Sequence, residues 1–89
     1  MTYYVYILLC EDGSYYTGYA KDPKYRFEQH KKGVGARYTK LRKPEKIVYT
    51  EKFDSRSGAI KREREIKSFS HSQKQRLIKR KVPKMSSSH

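Results

Sequence analysis

The chain has 89 residues, and 22 Lys and Arg against 9 Asp and Glu give it a net charge of +13. This length predicts one small domain with a thin core, and no stretch approaches the roughly 20 apolar residues of a membrane span. Cys10 is the single cysteine, which excludes an intrachain disulfide framework and a cysteine-rich zinc site.

Local patterns predict six elements in the order β-β-α-β-α-α. Aromatic and β-branched residues favour strands, Asp12-Gly13 is a turn signal for a hairpin, and Asp22-Pro23 is typical of a helix start. The predicted strands are at 3–10, 15–20 and 46–53. The first predicted helix runs from Pro23 to about Lys32 and ends at Gly33, and the second, at 55–69, is capped by Asp54 or Ser55. A short third helix begins with a Ser70–Gln73 capping box and runs to about Lys81.

These elements predict an α+β fold, a small three-stranded antiparallel sheet flanked by helices. We expect residues 1–81 to form one domain and residues 82–89 to form a disordered C-terminal tail, because the tail lacks apolar periodicity. The chain starts with an apolar strand and no charged leader. We therefore expect no signal peptide and a cytoplasmic location.

Glu63 lies on the apolar stripe of the helix predicted at 55–69. At 3.6 residues per turn it shares a face with Ala59, Ile60, Ile66 and Phe69. A carboxylate on a core-facing stripe is costly unless it is paired or bound to a metal. The sequence leaves both explanations open, a salt bridge to one of the many Lys or Arg residues and a metal site.

Four other polar residues are placed to join Glu63. Arg26 and His30 are four residues apart and share a helix face, and two tyrosines lie on the strands of the hairpin, next to Gly18, where a missing side chain permits close approach. Alone, each tyrosine is explained by packing and the Arg–His pair by a solvated helix surface. Together they favour metal-assisted attack on a phosphodiester, and we expect them to converge on one concave surface. The candidate catalytic residues are Tyr6, Tyr16, Arg26, His30 and Glu63.

The segments Tyr4-Val5-Tyr6 and Tyr16-Thr17-Gly18 resemble the two halves of the GIY-YIG nuclease motif. The resemblance covers roughly residues 3–80 and is strongest to the small stand-alone bacterial branch, through the segments at 33–39 and 55–57. Tyr4 replaces the first Gly of the motif, and Thr17 replaces the middle Ile of its second half. Some family members also carry a late Asn; this chain has none, so that role is absent or falls to another residue such as Gln73.

The resemblance implies a structure- or sequence-directed endonuclease that uses a single Mg²⁺ or Mn²⁺ ion. Glu63 would hold the metal, since hard cations favour carboxylate oxygens, and Arg26 would contact the scissile phosphate. Tyr6 would take a proton from the attacking water or orient that water. Tyr16 and His30 would support the site through hydrogen bonds.

The net charge of +13 predicts a polyanionic partner and makes nucleic acid, with DNA first, the expected one. We expect no membrane association and a monomer by default, with an unidentified protein partner left open. The alternative to an enzyme is a non-catalytic basic module that binds nucleic acid by phosphate contacts and base stacking. Its surface would be the basic loop, through Arg37, Tyr38, Lys40, Arg42 and Lys43.

A third interpretation is a basic protein that binds an acidic protein partner or the ribosome. Glu63 separates these interpretations, because a carboxylate aimed at a phosphate repels it unless a metal lies between them.

Overall fold

A computed structural model of the protein describes residues 1–34 and 42–81. The chain forms two strands, a helix, a third strand and two further helices, which confirms the predicted α+β fold and its order. The elements are β1 (Tyr3–Cys10), β2 (Tyr15–Ala20), α1 (Pro23–Lys31), β3 (Pro44–Phe53), α2 (Arg56–Lys67) and α3 (His71–Lys81). The predicted tail at residues 82–89 lies outside the described residues.

The three strands form one antiparallel sheet in the order β2-β1-β3, with the apolar strand β1 at its centre. The turn between β1 and β2 has Gly13 at φ 85°, a left-handed conformation that suits glycine. The Asp12 carboxylate accepts hydrogen bonds from the backbone N–H of Ser14 at 3.0 Å and from its hydroxyl at 2.6 Å. The predicted Asp-Gly hairpin is therefore confirmed.

Strand β1 sends alternate side chains to opposite faces of the sheet, as its pleat requires. Val5 and Ile7 are fully buried and pack with Ala59 and Ile66 of α2. Tyr6 points to the other face, where it meets α1. The helices α1 and α2 therefore cover opposite faces of the sheet.

The helices begin where their capping residues predict. Asp22 accepts the backbone N–H of the residue three positions later, and Gly33 follows α1 at φ 79°. Ser55, rather than Asp54, is the N-cap of α2. Before α3, the hydroxyl of Ser70 accepts the Gln73 N–H at 3.2 Å and the Gln73 carbonyl accepts the Ser70 N–H at 2.8 Å, which is the predicted capping box.

Strand β3 begins at Pro44, two residues earlier than predicted. Proline cannot donate to a ladder, but it is tolerated at the first position of an edge strand, and β3 is an edge strand. Its register with β1 shifts between Ile7 and Leu8 and again between Leu9 and Cys10. The early start thus depends on the pairing of the strand, which no local pattern encodes.

A polar network fixes α2 against β3 on the sheet edge. The Arg62 guanidinium donates from Nε to Glu51 and from Nη1 to Glu65, each at 2.9 Å, and the Tyr49 hydroxyl donates to Glu51 at 2.8 Å. Burial alone would lower the pKa of Arg62, but its bonds to the two carboxylates and its interaction with Tyr49 raise that pKa above its usual range. Arg62 therefore stays charged and held in one orientation.

His71 fixes the start of α3 against the hairpin. Its ring stacks on Tyr15 with centroids 4.6 Å apart, and its Nε2 donates to the carbonyl of Gly13 at 3.0 Å. None of the helices in the described part of the chain is long and apolar enough to cross a membrane.

Candidate catalytic site

Tyr6 and His30 form a buried polar pair between β1 and α1. Each residue is 1% exposed, and the Tyr6 hydroxyl lies 3.1 Å from His30 Nε2. Burial, helped by the positive charge of Arg26, lowers the pKa of His30 below its usual value. His30 is therefore neutral near pH 7, and its tautomer decides whether Nε2 accepts from or donates to Tyr6.

Gly18 makes room for this pair on the neighbouring strand. It lies opposite Tyr6 in the β1–β2 register, and a Cβ atom placed there would be 2.6 Å from the Tyr6 hydroxyl oxygen. Any other residue would push the ring away, since real side chains do not approach so closely. The predicted close approach at Gly18 is that of the Tyr6 ring itself.

Tyr16 completes an aromatic cluster around the pair. Its ring centroid lies 6.4 Å from that of Tyr6 and 5.1 Å from that of His30, the latter in an edge-to-face arrangement. Such arrangements are favourable for aromatic rings. The structure therefore brings together three of the five predicted site residues on the α1 face of the sheet.

Arg26 lies beside this cluster on α1 and is held by its own helix. Its Nη1 donates to the Gln29 carbonyl at 2.9 Å, and the Gln29 amide donates to the Tyr25 hydroxyl at 3.2 Å. Arg26 also interacts with Tyr6, both by charge and by hydrogen bonding. Gln29 was not among the predicted site residues, although its spacing of three residues from Arg26 could have indicated the contact.

The environment keeps the Tyr6 hydroxyl protonated. Burial, the neighbouring Tyr16 and the negative charge of Glu63 raise the pKa of Tyr6, and Arg26 offsets only part of this rise. Near neutral pH the hydroxyl is thus a hydrogen-bond donor. The predicted role of Tyr6 as a base requires further positive charge nearby, and that role stays a prediction.

Glu63 is largely buried, as its place on the apolar stripe of α2 predicts. Its side chain is 15% exposed, and its carboxylate lies 3.4 Å from Lys67 Nζ, one turn later. The stripe itself is buried, with Ala59 and Ile66 inaccessible. The salt bridge left open by the sequence is therefore present, while a metal at Glu63 stays a prediction.

Glu63 reaches the cluster from the other side of the sheet. Its helix packs on the face opposite α1, yet its charge contributes to the raised pKa of Tyr6. Both helices contact the edge strand β2, and Arg62 points to β3, so the next residue, Glu63, is turned toward β2. Four of the five residues therefore lie on the α1 face, and Glu63, on the helix of the opposite face, acts on Tyr6 through its charge.

The donor set at Glu63 fits a hard divalent cation that needs few protein ligands. Across residues 1–34 and 42–81, no group of three or more His, Cys, Asp or Glu could hold a metal ion. Mg²⁺ commonly keeps several waters and binds proteins through one or two carboxylates together with substrate phosphates. A single, largely buried carboxylate such as that of Glu63 satisfies that requirement, and Mn²⁺ shares the preference for oxygen ligands.

The predicted nucleic-acid loop is only partly described. Arg37, Tyr38 and Lys40 lie outside the described residues. Arg42 pairs with Asp12 at 3.1 Å on the surface of the hairpin turn, and Lys43 is exposed. Their role in binding stays a prediction.

Gln73 does not join the cluster. Its side-chain carbonyl caps α3, and the residue lines a groove together with Arg62 and Arg76. The structure therefore gives no support to Gln73 as a substitute for the late Asn of some GIY-YIG nucleases.

Comparison with known proteins identifies relatives of the same size. The chain is 55% identical over 76 residues to the UPF0213 protein SSP2268 of Staphylococcus saprophyticus, covering 85% of this chain and 93% of that protein. It is 53% identical over 78 residues to the UPF0213 protein SAV0488 of Staphylococcus aureus, covering 88% and 95%. These relatives match nearly end to end.

Solved structures agree with the fold. The solution structure of the UPF0213 protein BH0048 from Bacillus halodurans is 45% identical, with a TM-score of 0.56 over 88% of this chain and 83% of that one. The solution structure of the protein EF2693 from E. faecalis is 39% identical, with a TM-score of 0.62 over 100% and 96%. The family model of the GIY-YIG catalytic domain matches residues 2–76. This chain therefore belongs to the GIY-YIG family.

Proposed function

We propose that this protein is a metal-dependent endonuclease that hydrolyses phosphodiester bonds of nucleic acid, with DNA as the first candidate substrate. The observation that carries the proposal is the buried Tyr6–His30 pair, packed against Tyr16, beside Arg26 and within electrostatic reach of Glu63. Membership of the GIY-YIG family supports it. The net charge of +13 supports a polyanionic substrate.

Glu63 is the residue that would hold Mg²⁺ or Mn²⁺. When bound, the cation supplies charge neutralisation and Lewis-acid polarisation of a phosphate oxygen. Lys67 now pairs with the carboxylate at 3.4 Å and has a half-exposed, flexible side chain. Binding of a cation would require this lysine to move away, which its exposure permits.

Arg26 contacts the scissile phosphate in this proposal. The planar guanidinium matches two phosphate oxygens and stabilises the charge that develops on them. Its bond to Gln29 holds it in place at 2.9 Å. A pre-oriented donor of this kind needs little rearrangement during the reaction.

Tyr6 orients the attacking water through its hydroxyl, and His30 is the acceptor for the hydroxyl proton. In the tautomer with an unprotonated Nε2, Tyr6 donates to His30 across 3.1 Å. A proton taken from water by the Tyr6 oxygen is balanced by transfer of the tyrosine proton to Nε2. Tyr16 packs edge-on against the imidazole and keeps the ring in this orientation.

A non-catalytic nucleic-acid-binding module is the second candidate. The Glu63–Lys67 salt bridge favours it, because this pairing accounts for a carboxylate on the stripe without any metal. In that case the net charge drives binding through phosphate contacts, and affinity does not depend on Glu63.

Cleavage of labelled substrates separates the two candidates. Purified protein is incubated with single-stranded, duplex and branched DNA and RNA, in Mg²⁺, in Mn²⁺ and in EDTA. We expect metal-dependent cleavage that Glu63→Gln and Arg26→Ala reduce by about 10²-fold or more. Glu45→Gln is the control, because it removes the same charge from an exposed position on β3.

Equal rates for wild type and Glu63→Gln would exclude the metal-ligand role. No cleavage by wild type on any substrate, with salt-dependent binding retained, would favour the binding module.

A further inference from the structure

A polar groove lies between α2 and α3, on the side of α2 that faces β3. Its lining combines three arginines and an amide with two apolar side chains, and its mouth continues over β3 at Tyr49 and Glu51. The lining residues are Arg62, Phe69, Gln73, Arg76, Leu77 and Arg80.

The groove has a strongly positive wall. Helix α3 carries five Lys and Arg in 11 residues and no carboxylate. Arg76 and Arg80 are exposed and lie one turn apart, so both project from the same side of the helix. In the described part of the chain, neither of them forms a salt bridge, so their charges are available to a ligand.

Hydrogen bonds, ion pairs and packing hold the other wall and the floor of the groove in fixed positions. Arg62 is held by Glu51 and Glu65, so it shapes the groove while the two carboxylates more than offset its charge. Gln73 uses its carbonyl oxygen to cap α3, which leaves its amide nitrogen as the donor for a ligand. Leu77 is half-buried against the core and gives the floor an apolar surface.

We propose that this groove binds the sugar-phosphate backbone of a nucleic-acid strand, as a contact separate from the candidate catalytic site. Guanidinium groups one turn apart suit two phosphates, the Gln73 amide can donate to a further oxygen, and the apolar floor suits a sugar. Arg62 and Glu63 are consecutive residues, about 100° apart around α2, and they flank the buried line formed by Ala59 and Ile66. The groove lies on the Arg62 side of this line, and the Glu63 carboxylate lies on the other side.

A substrate that reached both sites would have to pass across α2. The groove thus deepens the proposed function by giving a long or branched substrate a second hold. The identification of the bound strand as a substrate rests on the proposed function. The binding of nucleic acid in the groove does not depend on that function.

The test compares two double variants that remove the same charge. Arg76→Gln/Arg80→Gln changes the groove, and Lys24→Gln/Lys52→Gln changes exposed lysines on the α1 side of the sheet. Affinity for a fluorescent duplex and a fluorescent single strand is measured by anisotropy over a series of salt concentrations, in EDTA so that no cleavage occurs. Circular dichroism and thermal unfolding verify that both variants fold.

We expect the groove variant to reduce affinity by about tenfold or more at low salt and to lower the slope of log K against log salt by about 2, since each lost phosphate contact removes about 0.9. The control pair should change the slope by less than half as much. Arg76→Lys/Arg80→Lys, which keeps the charge, should recover most of the slope.

Equal losses for the groove and control pairs would overturn the proposal, because the effect would then be one of total charge. So would an unchanged slope in the groove variant. Competition by polyglutamate that is as strong as competition by DNA of equal charge would also overturn it, in favour of an acidic polypeptide partner. Groove-dependent binding without any cleavage would count against the proposed nuclease function alone.

Discussion

Strand β1 is buried on both faces of the sheet, but its side chains meet different chemistry on the two faces. Strand β1 sends Val5 and Ile7 to one face, each 0% exposed among apolar side chains. It sends Tyr6 to the other face, where it is 1% exposed and hydrogen-bonded to an equally buried histidine. Burial alone therefore does not distinguish a core from a site. The distinction at β1 is the hydrogen-bonded Tyr6–His30 pair, since the α2 face also buries a tyrosine, Tyr49, and the α1 face also buries Leu8.

This contrast predicts different consequences for substitutions on the same strand. On the α2 face, a change removes buried apolar contacts and should lower stability. On the α1 face, a change that preserves ring volume removes a functional group and should alter the chemistry more than the fold. The following predictions test that division.

Ile7→Ala should be the most destabilising change. Ile7 is fully buried against α2, and removing a large buried aliphatic side chain typically costs about 2–5 kcal/mol. This is a large share of the roughly 5–15 kcal/mol that stabilises a small domain. Urea unfolding measures it. A loss below about 1 kcal/mol would show that the α2 face relaxes around the cavity and is not a tightly packed core.

Tyr6→Phe should lower the stability less than Ile7→Ala does, and it should lower the cleavage activity. The ring stays, but the hydrogen bond to His30 is lost, at a cost of about 1 kcal/mol. If Tyr6 orients the attacking water, single-turnover cleavage should fall while affinity for nucleic acid is retained. Tyr4→Phe on the same strand is the control, because Tyr4 lies outside the cluster. Unchanged cleavage in Tyr6→Phe would remove the hydroxyl from the mechanism.

Acid should weaken the α1 face through His30. Its pKa is lowered in the folded protein by burial and by Arg26, so the unfolded chain takes up a proton at higher pH than the folded chain does. The stability contribution is complete above the unfolded pKa of about 6.5 and is lost as the pH falls through the lower folded pKa. Urea unfolding at pH 7.5 and pH 5.5 should show a larger loss for wild type than for His30→Gln. An equal loss in both would assign the acid sensitivity to other groups.

Thr17→Val should stabilise the protein slightly. Thr17 pairs with Ile7 across the hairpin and so shares the apolar face. Its hydroxyl is buried without a hydrogen-bond partner among the described residues. Valine has the same shape, and removing an unsatisfied polar atom should contribute about 1 kcal/mol, or roughly 4–8 °C in Tm for a domain of this size. A lower Tm would show that the hydroxyl has a partner in solution.

Much of the fold could be predicted from the sequence because it depends on local chemistry. The Asp12-Gly13 turn, the Asp22 cap and the capping box before α3 each involve residues within a few positions of one another. The start of β3 at Pro44 could not be predicted in this way, since it follows from pairing with β1.

The candidate site shows the same division. Periodicity placed Glu63 with Ala59 and Ile66 and put Arg26 and His30 on one helix face, because the pitch of a helix fixes which side chains share a side. The sequence alone thus determined the membership of the faces. Only the tertiary structure decided that α1 and α2 cover opposite faces of the sheet and that a basic groove opens between α2 and α3. The physical reason is that an amphipathic helix can bury the same stripe on either face of a sheet. Contacts between distant parts of the chain therefore decide which face each helix covers.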